Sequence, residues 1–172
     1  MALFDIALAL VLKHEGGFAN NAADRGGPTN YGISSPTYSR YLGRPAAVAD
    51  IKAMPMKAVE TIYRVDYWNP ILGDSINQQA TASYLMDMAV LMGPASAVRL
   101  MQTAVGGLVV DGKMGPKSVA RLNALDPAVF ALVFSKACVA AFVSIATANP
   151  TQLVFLPGWV KRAHEMTDIR VA

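Results

Sequence analysis

The apolar positions of this 172-residue chain recur mainly at helical spacing. Near the N-terminus, Phe4, Leu8, Val11 and Leu12 share one face, which predicts an amphipathic first helix. Further helices are predicted from SSPTYSRYLG and PMKAVETIYRVDYW, from residues 78–92 and 94–105, and from residue 116 onward. Alternating runs are too short for a sheet, so short strands are expected only within residues 15–33. The predicted fold class is therefore mainly α.

The segment 127–148 is an apolar run of 22 residues, about the length that spans a bilayer. Lys136 lies in its middle, where a charge is costly in lipid. Asp126 and Pro127 form a standard helix start. We therefore predict a central helix that is buried on most of its faces, with contact to a membrane or a partner as the less favoured alternative. A final helix is predicted over residues 159–169.

The composition excludes several classes of protein. A chain with 53% hydrophobic and 16% charged residues is typical of a compact globular protein rather than a disordered one. Its formal charge of +3 is far below that of a nucleic-acid-binding surface, so no nucleic-acid partner is expected. One cysteine and two histidines make a zinc site hard to assemble, and no metal or organic cofactor is implied.

The segment HEGGFANNAADRGGPTNYGIS, residues 14–34, carries the candidate chemistry. Glu15 ends the first helix, directly before two glycines that can stop it. A carboxylate there faces the negative end of the helix macrodipole, which favours its protonated form, as a glycosidase acid requires. A glycine-proline turn would let the loop fold back so that Asp24 and Thr29 approach Glu15. Asp24 is then the expected partner carboxylate and Thr29 the hydroxyl that holds a water, an arrangement that suits inverting hydrolysis.

The same segment resembles the signature of glycoside hydrolase family 108, the helical lysozyme-like muramidases of phages and bacteria. That signature reads EGGY, followed by D-x-GG-x-T-x-x-GI. The segments IYRVDYWNP and YLMDMAVLMGP are similar to further motifs of this family, and GWVKR near the end also fits. AVRLMQTAVGGLVVDGKMGPKSVARLNAL looks like the peptidoglycan-binding segment that follows in these proteins.

The resemblance implies one lysozyme-like helical domain over residues 1–172, with a glycine-rich active-site loop or a short β-hairpin. Residues 1–93 would be the catalytic portion, and residues 94–172 a helical, peptidoglycan-binding-like portion packed on it. Two departures from the family pattern stand out. Phe18 replaces the usual tyrosine, and Leu91 stands where the family commonly has asparagine.

The implied activity is hydrolysis of the β-1,4 bond between MurNAc and GlcNAc in peptidoglycan, the reaction by which endolysins lyse bacterial cell walls. Glu15 corresponds to the family's catalytic glutamate. The roles of Asp24 and Thr29 rest on a similar spacing in T4-type lysozymes. Two alternatives stay open: a lytic transglycosylase that uses Glu15 without water, and a non-catalytic protein that binds the wall or assists secretion.

Three further residues are candidates for substrate binding. Saccharide sites offer aromatic faces and planar polar groups, which Tyr31, Trp68 and Asp87 would supply. Trp68 would serve equally well as a core anchor. Asp87 lies in an otherwise apolar helix and needs a partner, so a structural role and a substrate contact both stay open.

The expected partner is peptidoglycan, and the expected state is a monomer. The first apolar segment lacks the pattern of a secretory signal peptide, because Asp5 stands where basic residues belong and no small-residue cleavage site follows. We therefore expect a protein that is made in the cytoplasm without a cleavable signal peptide and acts on the cell wall, in the periplasm, after release.

Overall fold

A computed structural model describes residues 1–20, 27–165 and 167 of the chain. It confirms a mainly α-helical fold with one short hairpin. The helices within the described ranges are α1 (Phe4–His14), α2 (Ser35–Leu42), α3 (Val48–Lys52), α4 (Met56–Tyr63), α5 (Gln79–Met92), α6 (Pro94–Val105), α7 (Pro116–Asn123), α8 (Pro127–Ala148) and α9 (Leu156–Glu165). Strands β1 (Thr29–Asn30) and β2 (Ile33–Ser34) pair antiparallel. A π-helical turn spans Arg64–Trp68, and 3-10 turns span Gly73–Ser75 and Pro150–Gln152.

Helix α5 lies at the centre of the core. Every residue from 81 to 89 is buried, because the helix packs against α1, α6 and α8. Helix α1 contacts it through the predicted apolar face, in which Phe4, Leu8 and Val11 are buried. This confirms the amphipathic first helix. The packing of α1 on α5 also determines where Glu15, the residue after α1, emerges from the core.

The hairpin turns back at Tyr31 and Gly32, which have φ values of 51° and 72°. Two successive positive φ values are typical of a tight two-residue hairpin turn. Buried Asn30 ties the hairpin to α3, since its side-chain amide donates to the carbonyl of Ile51 at 3.0 Å. Helix α3 is short and was not predicted from the sequence. Through these contacts the turn is fixed beside the C-terminal end of α1.

The final helix begins earlier than predicted. Helix α9 starts at Leu156 rather than at residue 159, and its last described residue is Glu165. Beyond it the structure describes only residue 167, so the rest of the predicted range 159–169 lies outside the described residues. Helix α9 packs against α8. This position brings its inner face toward the C-terminal end of α1 and the middle of α5.

Helix α8 is continuous, as predicted, but the prediction that most of its faces are buried is wrong. Asp126 caps the helix by accepting hydrogen bonds from two backbone N–H groups of its first turn. One buried stripe packs against α5, α6 and α9 and consists of Phe130, Phe134, Ser135, Cys138, Phe142 and Ala146. On other sides Leu132 and Val143 are 53% and 45% exposed. A helix that is apolar all round has no polar face from which its covered side can be predicted.

Candidate active site

Glu15 caps the C-terminal end of α1. Its backbone is extended, and its N–H donates to the carbonyl of Val11. The side chain is 19% exposed, so the carboxylate is neither free in solvent nor sealed in the core. Its Oε1 accepts hydrogen bonds from Nη1 and Nη2 of Arg162, at 3.1 Å each. The helix end therefore presents a partly buried carboxylate whose orientation is held by an arginine.

Arg162 lies in α9 and contacts Glu15, and its guanidinium also binds Asp87 of α5. Its Nε donates to Asp87 Oδ2 and its Nη2 to Asp87 Oδ1, both at 2.9 Å. This is the parallel two-bond geometry in which a guanidinium and a carboxylate pair most strongly. Burial acts to lower the pKa of Arg162, but the two carboxylates outweigh it and the pKa is raised. Arg162 is therefore a fixed cation.

His14 completes the environment of Asp87. Its Nδ1 lies 3.0 Å from Asp87 Oδ1, and its Nε2 lies 3.5 Å from a carboxylate oxygen of Glu165. The Asp87 side chain is completely buried, so a direct contact with a polymeric substrate is ruled out. Of the two roles left open for Asp87, the structure supports the structural one: it holds Arg162.

Sequence reasoning missed Arg162 and His14 as members of this site. A signal was nevertheless present, because a carboxylate among the apolar residues of α5 requires a cationic or hydrogen-bonding partner. The pattern of residues does not say which of the chain's cations provides it. Arg162 lies 75 positions from Asp87 and 147 from Glu15.

Gly32 of the hairpin turn lies against the other carboxylate oxygen of Glu15. A Cβ atom at this position would be 2.5 Å from Glu15 Oε2 and 2.9 Å from the hydroxyl of Tyr63. No side chain fits there, and the φ of 72° independently favours glycine. The glycine therefore allows the hairpin backbone to approach the carboxylate closely.

Tyr63 of α4 fixes the hairpin on this side of the site. Its hydroxyl donates to the carbonyl of Tyr31 at 2.8 Å. Burial, followed by the negative charge of Glu15, raises the pKa of Tyr63 far above its ordinary value, so the hydroxyl stays protonated as a donor. Burial also raises the pKa of neighbouring Tyr67, with smaller contributions from Asp66 and Glu15. Two neutral phenols thus lie near the carboxylate.

The other predicted residues of the loop are only partly described. Asp24 lies outside the described residues, so its role stays a prediction. Thr29 lies in β1, where its backbone N–H and carbonyl pair with Ala19 at 2.9 Å each. Tyr31 forms the hairpin turn next to Gly32 and is half-buried. The hairpin therefore places Tyr31 beside the glycine that approaches Glu15, and the contacts of Thr29 and Tyr31 with substrate stay predictions.

Trp68 is a core residue rather than part of a sugar cleft, which corrects its predicted role in substrate binding. The side chain is fully buried, and its Nε1 donates to Asp74 Oδ1 at 2.8 Å. The indole lies against Gly73 and packs edge-on against Phe4, at the start of α1. Glu15 follows the other end of that helix, roughly 16 Å away at 1.5 Å per residue. No face of the ring is available for stacking on a saccharide.

A second ordered feature lies in the loop between α6 and α7. Gln102 of α6 is buried, and its side chain donates to Asp111 Oδ1 and the Lys113 carbonyl while accepting from the Gly112 N–H. The Asp111 carboxylate also accepts from the Lys113 N–H. These four bonds hold the loop in one conformation beside a surface cavity of about 540 Å³.

The chemistry available at Glu15 is proton transfer by a carboxyl group that is fixed in place. Arg162 holds one oxygen, the hairpin approaches the other, and the neutral phenols of Tyr63 and Tyr67 lie nearby. Among the residues that the structure describes, no group of three His, Cys, Asp or Glu side chains is placed to hold a metal ion. The arrangement suits acid–base chemistry by a single carboxyl group.

Comparisons with known proteins identify related families and a related solved structure. Residues 8–93 match the family model of glycosyl hydrolase 108, and residues 96–164 match that of a predicted peptidoglycan domain. The chain is also similar to a solved structure described as that of Brucella abortus SagA, with 30% identity and a TM-score of 0.78. That similarity covers 95% of this chain and 91% of the other. A search of curated proteins found no match.

Proposed function

Because the chain belongs to the glycosyl hydrolase 108 family of lysozyme-like, peptidoglycan-hydrolysing enzymes, we propose that Glu15 is its general acid. The observation that carries the proposal is the position of this side chain. It is a partly buried carboxylate at a helix end, held by Arg162 on one oxygen and approached by the hairpin on the other. General acid catalysis requires a carboxyl group that is positioned within reach of the glycosidic oxygen.

The reaction needs a proton donor, a water molecule and a group that positions the water. In the proposed mechanism Glu15 donates its proton to the oxygen of the β-1,4 bond between MurNAc and GlcNAc as that bond breaks. Asp24 and Thr29 position or activate the water that attacks the sugar from the opposite face, which inverts the configuration. The hairpin supports this assignment of Thr29, since its turn lies against Glu15. The assignment of Asp24 rests on the sequence pattern.

The decisive experiment compares the products of the wild-type protein and of the Glu15→Gln variant on purified peptidoglycan. Glutamine keeps the size of the side chain and its ability to accept from Arg162, but it cannot donate an acidic proton. The new glycan ends are identified by mass spectrometry. We expect reducing muramic ends from the wild type and at least a 100-fold lower yield from Glu15→Gln, within the range expected for the loss of general acid catalysis.

A matched control is available in Glu60 of α4, an exposed glutamate that pairs with Lys57 at 3.5 Å. Glu60→Gln makes the same chemical change on the surface and is expected to retain full activity. Anhydro-muramic ends from the wild type would identify a lytic transglycosylase instead. Intact wall binding without any cleaved product would identify a non-catalytic wall-binding protein. Full activity of Glu15→Gln would overturn the role of Glu15.

We also propose that the protein acts as a monomer on the bacterial cell wall. Glu15, Arg162 and Asp87 all belong to one chain, so this part of the site requires no second copy. The family match over residues 96–164 supports peptidoglycan as the partner. Sedimentation of the active protein, with and without soluble peptidoglycan fragments, tests the monomer. A dimer at the concentrations that give activity would contradict it.

We propose that α8 remains packed in the folded protein rather than crossing a membrane. Its length and mean hydropathy of 2.2 would allow a span. However, its buried stripe contacts three other helices, and withdrawing it would expose Phe134 and Cys138, which have no exposed surface in the fold. Flotation of the purified protein with vesicles tests this proposal. Stable co-flotation that resists high salt and carbonate at pH 11 would contradict it.

A further inference from the structure

The ion pair between Glu15 and Arg162 connects the two regions of the chain that match different families. Glu15 lies within residues 8–93, the hydrolase region, whereas Arg162 lies within residues 96–164, the peptidoglycan region. The two residues are 147 positions apart, and α9 carries Arg162 to the end of α1. The cation at the proposed acid therefore comes from the region that the family match associates with binding.

Arg162 differs from a surface arginine that happens to meet a carboxylate. Its side chain is 13% exposed, and two of its N–H groups are committed to the fully buried Asp87. His14 contacts the same Asp87 oxygen that accepts from Arg162 Nη2. Because the guanidinium is planar, the fork on Asp87 fixes the direction of the remaining N–H groups. Those groups point at Glu15 Oε1.

This geometry distinguishes the two oxygens of Glu15. Oε1 accepts two N–H bonds from Arg162, which occupy its acceptor directions. The proton of the acid form is therefore carried by Oε2. Oε2 lies on the side of Gly32 and of the Tyr63 hydroxyl. A guanidinium held in this way sets both the direction of the carboxyl group and the oxygen from which the proton leaves.

We infer that Arg162 is a positioning residue for Glu15, so that hydrolysis requires α9 of the peptidoglycan region even when the substrate is a short soluble glycan. The inference rests on the proposed role of Glu15. Arg162 acts through that carboxyl group and through Asp87. Helix α9 thus belongs to the catalytic machinery and does more than bring the enzyme to the wall.

The test uses the full chain and soluble peptidoglycan glycan fragments, with kcat and KM measured separately. For Arg162→Gln we expect kcat to fall on the order of 100-fold, as for a reacting group misplaced by about 1 Å, with KM changed less than about twofold.

The conservative variant and a control arginine separate positioning from folding. Arg162→Lys keeps the charge but loses the planar two-bond geometry, so we expect about tenfold recovery of kcat over Arg162→Gln. Arg121 of α7 also ties the fold together, since it donates to the carbonyls of Val105 and Gly106. Arg121→Gln is expected to lower the unfolding temperature while leaving kcat and KM of the folded protein unchanged.

Two results would overturn the inference. One is an Arg162→Gln variant whose kcat falls only in proportion to its unfolded fraction. The other is an Arg162→Gln variant, folded at the assay temperature, whose loss of activity lies in KM while kcat stays at the wild-type value. If Glu15→Gln is inactive while Arg162→Gln behaves like the wild type, only the positioning role fails. If Glu15→Gln is active, the proposed function itself fails.

Discussion

Arg162 donates two hydrogen bonds of 2.9 Å to the carboxylate of Asp87, and this carboxylate is fully buried. A buried carboxylate is tolerated when a cation and hydrogen bonds satisfy it, and removing one member leaves the other charge uncompensated. The pair therefore connects the central helix α5 with α9. It also explains why an acidic residue occurs among the apolar positions of α5.

Asp87→Asn is expected to lower the free energy of unfolding by about 3 kcal/mol, since Arg162 loses its buried counter-charge. Urea unfolding of the two proteins measures the difference. Asp66 provides the control, because it pairs with Arg40 on a much more exposed surface. Asp66→Asn should lower the free energy of unfolding by less than about 1 kcal/mol. If both substitutions lowered the free energy of unfolding by the same amount, the stabilising role of the buried pair would be contradicted.

Gly32→Ala tests the close approach of the hairpin to Glu15. The new Cβ would lie 2.5 Å from Oε2, so the carboxyl group or the turn must move. We expect kcat to fall on the order of 100-fold, as for a misplaced catalytic group. Gly43 is a matched control with a φ of 67° and no atom within 4 Å of its would-be Cβ. Gly43→Ala carries the same backbone strain, about 1–2 kcal/mol, and should keep its kcat.

Trp68→Phe tests the assignment of Trp68 to the core. The variant loses the hydrogen bond to Asp74 and part of the packing on Phe4. We expect the free energy of unfolding to fall by about 2–3 kcal/mol. The KM for soluble glycan fragments should not change, because the ring has no exposed face. A several-fold rise in KM at a temperature where the variant is folded would contradict this assignment and indicate that Trp68 contacts substrate.

The stability of the fold should fall at alkaline pH. Burial raises the pKa of the Cys138 thiol from 9.0 to about 12, so the unfolded chain loses this proton at a lower pH than the folded one. The contribution of this thiol to the free energy of unfolding is fully present below pH 9 and is lost as the pH rises toward 12. Burial raises the pKa of Tyr63 and Tyr84 in the same direction.

The measurement is the free energy of unfolding from pH 8 to 11, in the wild type and in Cys138→Ala. The variant should lose stability less steeply above pH 9, because one titrating group has been removed. The packing that is lost in Cys138→Ala lowers the free energy of unfolding by the same amount at every pH. The slope of stability against pH is therefore unaffected by it. Identical slopes in the two proteins would contradict the raised pKa of Cys138.

Much of the fold could be predicted because its signals are local. The apolar spacing of Phe4, Leu8 and Val11 identified α1, and the Asp126–Pro127 start identified α8. Helix α3 was missed, since a helix of five residues carries too little periodicity to be recognised. The prediction for the burial of α8 was wrong. The buried fraction of this helix depends on how many neighbouring elements pack against it, and a uniformly apolar sequence does not indicate that number.

The sequence by itself determined where Glu15 stands, at the end of an amphipathic helix and before a glycine-rich loop, because helix spacing and glycine conformations are local properties. It also indicated that Asp87 needs a partner. Only the tertiary structure decided that this partner is Arg162, that Asp87 and Trp68 are fully buried, and that Gly32 lies against Glu15. Those relationships join residues far apart in the chain, and they arise only when α5, α9 and the hairpin pack around one core.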